Sequence, residues 1–208
     1  MITENNRVLL EGEIVSDFVF GHEVFGEKFY YFDLQVNRLS GSVDLLPIVI
    51  SERLVDVTQS VVGAMVYIDG QIRSYNKHEG EKSHTILTVF VNNIENIDYE
   101  GEINNEAILQ GFLCKEPNYR KTPKEKDICD LILAVNRPNG RTDYIPCITW
   151  GRDAIYSGTL KVGTELKVCG RFQSREYFKK IDEGEFETRT AFEMSIKNLE
   201  VVKNECLD

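Results

Sequence analysis

The chain has 208 residues, with 24 Lys and Arg against 34 Asp and Glu, a net charge of −10. That length holds one large domain or two of about 100 residues, each able to bury a core. Hydrophobic content of 42% and charged content of 28% exclude a collagen, a disulfide-stapled miniprotein and a wholly disordered chain.

The elements read as strands from the start. Arg7 to Val15 alternates apolar and polar residues around Gly12, the pattern of a half-buried strand. Phe29–Asn37 and Leu45–Ser51 follow as strands two and three. Ser51 can cap, and Gly63 close, a short helix through Val61. Met65–Arg73 and Thr85–Asn92 complete five strands. The order then repeats: strands at Glu106–Cys114, Ile128–Asn136 and Tyr144–Trp150, a helix near Arg152–Ser157, and strands at Glu165–Gln173 and Thr190–Ile196.

The repeat is also one of residues. Asn5-Asn6-Arg-Val-Leu-Leu-Glu-Gly12 returns as Asn104-Asn105-Glu-Ala-Ile-Leu-Gln-Gly111, an offset of 104 − 5 = 99. Arg38 and Arg137, Gly41 and Gly140, Asp44 and Asp143, and Pro47 and Pro146 match at that same offset. One step further, Gly70 matches Gly170 and Ser74 matches Ser174. A period near 100 predicts duplicated domains, 1–102 and 103–208, with an insertion before the last strand of the second. Five strands with a helix between the third and fourth is the order of the OB fold, so the expected class is all-β, two tandem Greek-key barrels. Gly12 and Gly111 fall mid-strand, where a small barrel bends.

The second half resembles the bacterial single-stranded-DNA-binding protein family. The resemblance rests on Tyr144-Ile-Pro-Cys-Ile-Thr-Trp-Gly151 and on Leu160-Lys-Val-Gly-Thr-Glu-Leu-Lys-Val-Cys-Gly-Arg-Phe172. The opening Asn-x-x-x-Leu-x-Gly of each half fits too; the rest of the pattern is degraded in the first half. The resemblance implies sequence-tolerant binding of single-stranded DNA in replication, repair and recombination. It also implies an assembly of four OB domains, hence a homodimer here. Tyr144, Trp150 and Tyr177 match the family's stacking positions, and a fourth aromatic position falls on Asn139. The family usually ends in a long Gly-, Gln- and Pro-rich tail with an acidic tip. Here Val201-Val-Lys-Asn-Glu-Cys-Leu-Asp208 closely follows the last strand, so a variant without that tail is expected.

The physical requirements for such binding are aromatic faces for bases and cations for phosphates. Tyr144 and Trp150 are six apart on one strand and share a face. A lone Trp is more often a core residue; its place before Gly151, in an OB strand order, favours stacking. Basic candidates crowd the same half: Arg120, Lys121 and Lys124 in the first loop, Arg137 and Arg141 at a turn, then Arg152, Arg171, Arg175, Lys179 and Lys180. Residues 104–208 carry 17 Lys and Arg against 17 Asp and Glu; residues 1–103 carry 7 against 17. The whole excess of negative charge lies in the first half, where Leu45, Ser51 and Lys77 stand at the stacking positions. An acidic surface repels phosphate. The second domain is therefore expected to bind the strand, and the first to pair chains or extend the path weakly through Arg38, Arg73, Tyr75 and Lys77.

Other readings remain. The chain fits an OB interaction or primosome-type accessory module with little DNA binding. An RNA or oligosaccharide ligand is a third reading, since one fold hosts several ligands. Catalysis has no support: no GxxxxGK[ST], HExxH or GxSxG pattern occurs. The three histidines show no metal-ligand spacing, and no cofactor is expected. Five cysteines, an odd number without a CxxC pair, read as reduced thiols in a cytoplasmic protein, most of them small core residues. The N-terminus carries no signal-like pattern, and no apolar run approaches the roughly 20 residues of a membrane helix.

Overall fold

The protein is described by a computed structural model covering residues 5–79, 82–98, 105–182 and 185–202. The side chains at 77–79, 82–84, 179–182 and 185–186 lie outside that description. The first half folds as β1 (Asn6–Ile14), β2 (Val19–Val24), β3 (Glu27–Asn37), β4 (Val43–Ser51), β5 (Met65–Glu79) and β6 (Lys82–Asn96). The second follows as β7 (Asn105–Leu113), β8 (Asn118–Lys121), β9 (Asp127–Asn136), β10 (Thr142–Trp150), α1 (Arg152–Ser157), β11 (Glu165–Asp182) and β12 (Glu185–Val201).

The strands form one hydrogen-bonded sequence, β2-β3-β4-β6-β5-β1-β7-β11-β12-β10-β9-β8. It reads the same from either end once each strand is replaced by its repeat. The extra pairings β3–β1 and β7–β9 close each half on itself. These are two tandem OB folds. Closure needs β1 to turn from β5 to β3 within its own length. Gly12 permits it: a Cβ there would stand 2.4 Å from the carbonyl oxygen of Gln35, and at Gly111 one would stand 2.5 Å from that of Ala134. Inside each barrel the alternate residues are fully buried, among them Leu10, Leu34, Ile68, Leu109, Leu133 and Phe172.

The two barrels join through β1 and β7, antiparallel, with Val8 opposite Ala107. Those residues are repeat equivalents (107 − 8 = 99), so a pseudo-twofold axis passes between them. Around this axis the repeat-identical polar residues interlock. Asp143, with no exposed surface, accepts hydrogen bonds from Arg137 of its own barrel and from the Ser74 backbone N–H of the other. The Tyr144 N–H donates to Ser74 Oγ at 2.8 Å. The mirror set is Asp44, which takes hydrogen bonds from Arg38 and, at 2.7 Å, from the Ser174 N–H; Leu45 N–H reaches Ser174 Oγ at 3.2 Å. Each latch fixes the β5–β6 or β11–β12 hairpin of one barrel against the other barrel. Asn6 and Asn105 act alike within their barrels, each exchanging two hydrogen bonds with the backbone of Ile72 or Phe172.

Three expectations need correction. The first half has no helix after its fourth strand; among the described residues α1 is the sole helix. Asp56 draws the Thr58 N–H, the Thr58 hydroxyl and the Gln59 amide onto its carboxylate, a local turn that competes with helix formation. In the second half Ala154 fits the core at the corresponding place, where the first half has the bulkier, β-branched Val55. Each barrel also has six strands rather than five, because the first loop folds onto its neighbour as β2 or β8. The hairpins are longer than read: β11 and β12 have 18 and 17 residues against 15 each in β5 and β6. Cys129 and Cys147 are buried free thiols, Cys114 and Cys169 are half-buried, and Cys206 lies outside the described residues.

Candidate nucleic-acid interface

The outward face of the second barrel is built from β8, β9, β10, β12 and β11. Along β10, Ile145 and Cys147 point inward and are buried. The alternating positions place Tyr144 and Trp150 outward, at 51% and 42% exposure. Trp150 is therefore not a core residue. Its indole N–H donates to Ser195 Oγ at 3.2 Å, which ties the polar edge of the ring to β12. Ser195 stands opposite Arg171 on β11, and along that strand Gln173, Arg175 and Tyr177 share the face. The Arg175 guanidinium lies 6.0 Å from the centre of the Tyr177 ring, a cation–π distance. Tyr177 is 36% exposed.

Two grooves flank this face, and the first barrel contributes a wall to each. One, of about 430 Å3, lies between Arg120, Pro146, Arg175, Tyr177 and Glu193, with Thr85 and Leu87 of β6 at its edge. The other, of about 770 Å3, runs past Arg171, Ser195 and Lys197 beneath Arg38 and Ser40 of the β3–β4 turn. The arginines of the smaller groove are partnered: Arg175 holds Glu193 through two hydrogen bonds of 3.1 and 3.2 Å, and Arg120 holds Asp130 at 2.7 Å. Burial, and then the charge of Arg38, lower the pKa of Arg171.

The structure thus brings Tyr144, Trp150, Tyr177, Arg120, Arg171 and Arg175 to one face. Lys121 and Lys124 lie exposed in or beside the β8–β9 turn, Lys121 within 3.5 Å of Glu125. Arg141 is exposed at the β9–β10 turn, and Arg152 opens α1. Arg137 and Arg73 sit elsewhere: both turn inward to Asp143, at 18% and 22% side-chain exposure, and Arg38 does the same with Asp44. Burial pushes the Tyr75 hydroxyl up, with a hydrogen bond to Tyr31 as a further cause. The side chains of Lys77, Lys179 and Lys180 lie outside the described residues. Among the described residues no group of three or more His, Cys, Asp or Glu is placed to hold a metal ion. No helix among them is long and apolar enough to cross a membrane.

Residues 104–202 match the sequence model of the single-strand binding protein family. Curated relatives include single-stranded DNA-binding protein 3 of Listeria innocua, 39% identical over 80 residues, covering 35% of this chain and 50% of the relative. Single-stranded DNA-binding protein A of Bacillus subtilis is 38% identical over 80 residues, covering 35% and 46%. The chain spans about half the length of the curated relatives it matches. Among solved structures, the wild-type single-stranded DNA binding protein from Thermus aquaticus superposes with a TM-score of 0.74 at 22% identity. It covers 98% of this chain and 95% of that one. The likeness extends over both barrels and concerns the fold.

Sequence reasoning missed the partners that neutralise the site. Glu193 and Asp130 sit among the arginines on the neighbouring strands β12 and β9, and spacing along one strand does not mark the carboxylate that its neighbour supplies. It also missed Phe178, 76% exposed beside Tyr177, although the run Tyr177-Phe178 stood in the sequence.

Proposed function

We propose that the protein is a non-catalytic, cytoplasmic binder of single-stranded DNA without sequence preference, acting in replication, repair or recombination. The carrying observation is the pair Tyr144 and Trp150, exposed on one strand beside arginine-lined grooves. Every base has a π-face, so exposed rings stack bases of any sequence. The second domain, 103–208, holds the strand: bases on Trp150, Tyr144 and Tyr177, phosphates near Arg171, Arg175 and Arg120. Arg141, Arg152, Lys121 and Lys124 border the path and attract phosphate at longer range. Arg137 and Arg73 serve the latch instead, because their guanidinium groups are committed to Asp143. The family of residues 104–202, and relatives named as single-stranded DNA-binding proteins, support the choice of ligand.

Each chain supplies two barrels, and we propose a homodimer with four. Light scattering of the purified chain tests this, with twice the chain mass of 23.9 kDa expected.

The binding experiment uses Trp150, the protein's one tryptophan, as its probe. Titration with oligo-dT is expected to quench its fluorescence, and added salt to weaken binding as counterions are released. Unchanged fluorescence at low salt, together with no gel shift, refutes the proposal and favours a protein-interaction module.

A further inference from the structure

Trp150 stands at the end of β10, and the chain turns away at once through Gly151, whose φ is 58°. The ring is half exposed, and among the described residues no second ring pairs with it. One polar contact meets it, the hydrogen bond from its N–H to Ser195 Oγ. We infer that Ser195 is a positioning residue, whose hydroxyl holds the indole in the orientation that takes a base and keeps the N–H paired once the strand covers it. This inference rests on the function proposed above.

The serine is anchored where its strand cannot shift. Ser195 lies inside the sheet, opposite Ile148 of β10 on one side and Arg171 of β11 on the other. Its neighbours Met194 and Ile196 point into the core and are buried, which fixes its Oγ on the outward face. A side chain on an interior strand holds its partner more precisely than one on a loop. The parallel pairing of β10 with β12 ends at Ile148, two residues short of Trp150. The side-chain bond carries the contact onward from there.

The first barrel provides the contrast. There β4 and β6 run parallel, with Val49 opposite Phe90, and β4 ends on Ser51, the repeat equivalent of Trp150. The large ring and the serine have changed places. Ser51 donates its hydroxyl hydrogen to Glu27, and the Phe90 ring packs 5.7 Å from that of Phe29. Phenylalanine has no N–H, so this barrel holds a ring and a serine at the two positions without a bond between them. The bonded pair belongs to the barrel that carries Tyr144 and Tyr177.

The bond matters most when DNA is present. An indole N–H is a donor with no acceptor capacity. In the free protein water reaches this exposed edge and replaces the serine at little cost. A strand lying along the groove lined by Arg171, Ser195 and Lys197 displaces that water. An N–H left without a partner then carries its full desolvation penalty. A ring held beforehand also gives up less freedom when a base stacks on it. Both effects appear on binding, and neither contributes much to folding.

The test is a double-mutant cycle on the full chain, read by the anisotropy of a labelled oligo-dT of about 12 nucleotides, within one barrel's reach. Ser195→Ala removes the acceptor, Ser195→Thr keeps it on a side chain suited to a strand, and Trp150→Phe keeps a ring without the donor. Ser195→Ala is expected to weaken binding about threefold to tenfold with Tm unchanged. Ser195→Thr is expected to bind within about twofold of the unaltered protein. In the Trp150→Phe background Ser195→Ala is expected to change nothing. The anisotropy of Trp150's own fluorescence, measured without DNA, is expected to fall in Ser195→Ala and to recover in Ser195→Thr. Wild-type affinity and Trp150 anisotropy in Ser195→Ala overturn the inference. So does an equal loss from Ser195→Ala in the Trp150→Phe background, which would mean that the serine acts without the indole. If the unaltered protein binds no oligo-dT, the function proposed above fails, and the Trp150 anisotropy alone decides whether Ser195 holds the ring.

Discussion

Replacing Asp143 by alanine tests whether the latch holds the two barrels in register. The carboxylate is wholly buried and receives Arg137, Arg73 and the Ser74 N–H. Alanine leaves two guanidinium groups, 18% and 22% exposed, and one backbone N–H without that partner. Removing one member of a buried ion pair costs about 3–5 kcal/mol, because the surviving charge stays desolvated. For a chain of this length each kcal/mol lowers Tm by about 2–4 °C, so a fall of about 6–20 °C is expected by calorimetry. The comparison variant is Asp130→Ala, which breaks the exposed pair with Arg120 and is expected to cost under about 1 kcal/mol. Asp143 also titrates. Burial alone would raise its carboxyl, but the hydrogen bonds of Arg137 and Ser74 and the charges of Arg137 and Arg73 outweigh it and hold it below the ordinary value. Its stabilising effect is therefore present above about pH 4, the unfolded value, and is lost as pH falls through the depressed native one. The Asp143→Ala protein should show a shallower acid-side decline. A Tm loss no greater than that of Asp130→Ala would refute the reasoning.

Trp150→Ala and Tyr144→Ala should each weaken oligo-dT binding by about 1–3 kcal/mol and barely move Tm, because both rings are half exposed; gel shift and melting curves check this together. Gly111→Val should destabilise strongly, since its side chain would meet the Ala134 carbonyl at 2.5 Å, while Gly140→Ala, with open space around it but a φ of 80°, should cost only about 1 kcal/mol. Cys129 and Cys147 should react with a thiol reagent far more slowly than Cys114 and Cys169, because their burial blocks access. Equal labelling rates at all four would contradict the buried placement.

Much of the fold was legible because small barrels punish deviation. Gly12 and Gly111 announced the closure points, and the offset of 99 announced two barrels. Arg38, Asp44 and Ser74 were visible too, as residues identical to Arg137, Asp143 and Ser174. Their chemistry was not, since repeat identity shows that a position matters without showing what it touches. Arg137 looked like a phosphate ligand for that reason. The missing helix in the first half turned on Asp56 and Thr58, whose side chains favour a local turn over a helical run that the cap pattern alone allows. The candidate site was legible where strand alternation governs it, at Tyr144 and Trp150. It was illegible where a charge is met from across a hairpin, as Arg175 is by Glu193, because the pattern along one strand does not show what its neighbour brings opposite.

The pseudo-twofold axis through Val8 and Ala107 has one more consequence. In a pair of identical barrels every substitution appears on both sides of the axis, so an altered face is altered twice. Here the two sides are encoded separately and joined covalently, and dilution cannot part them. One barrel is free to keep tryptophan and serine where the other has serine and phenylalanine, or to shed positive charge, without disturbing its twin. The single chain thus gains a polarity that a symmetric pair lacks, and a strand lying across it meets two different ends.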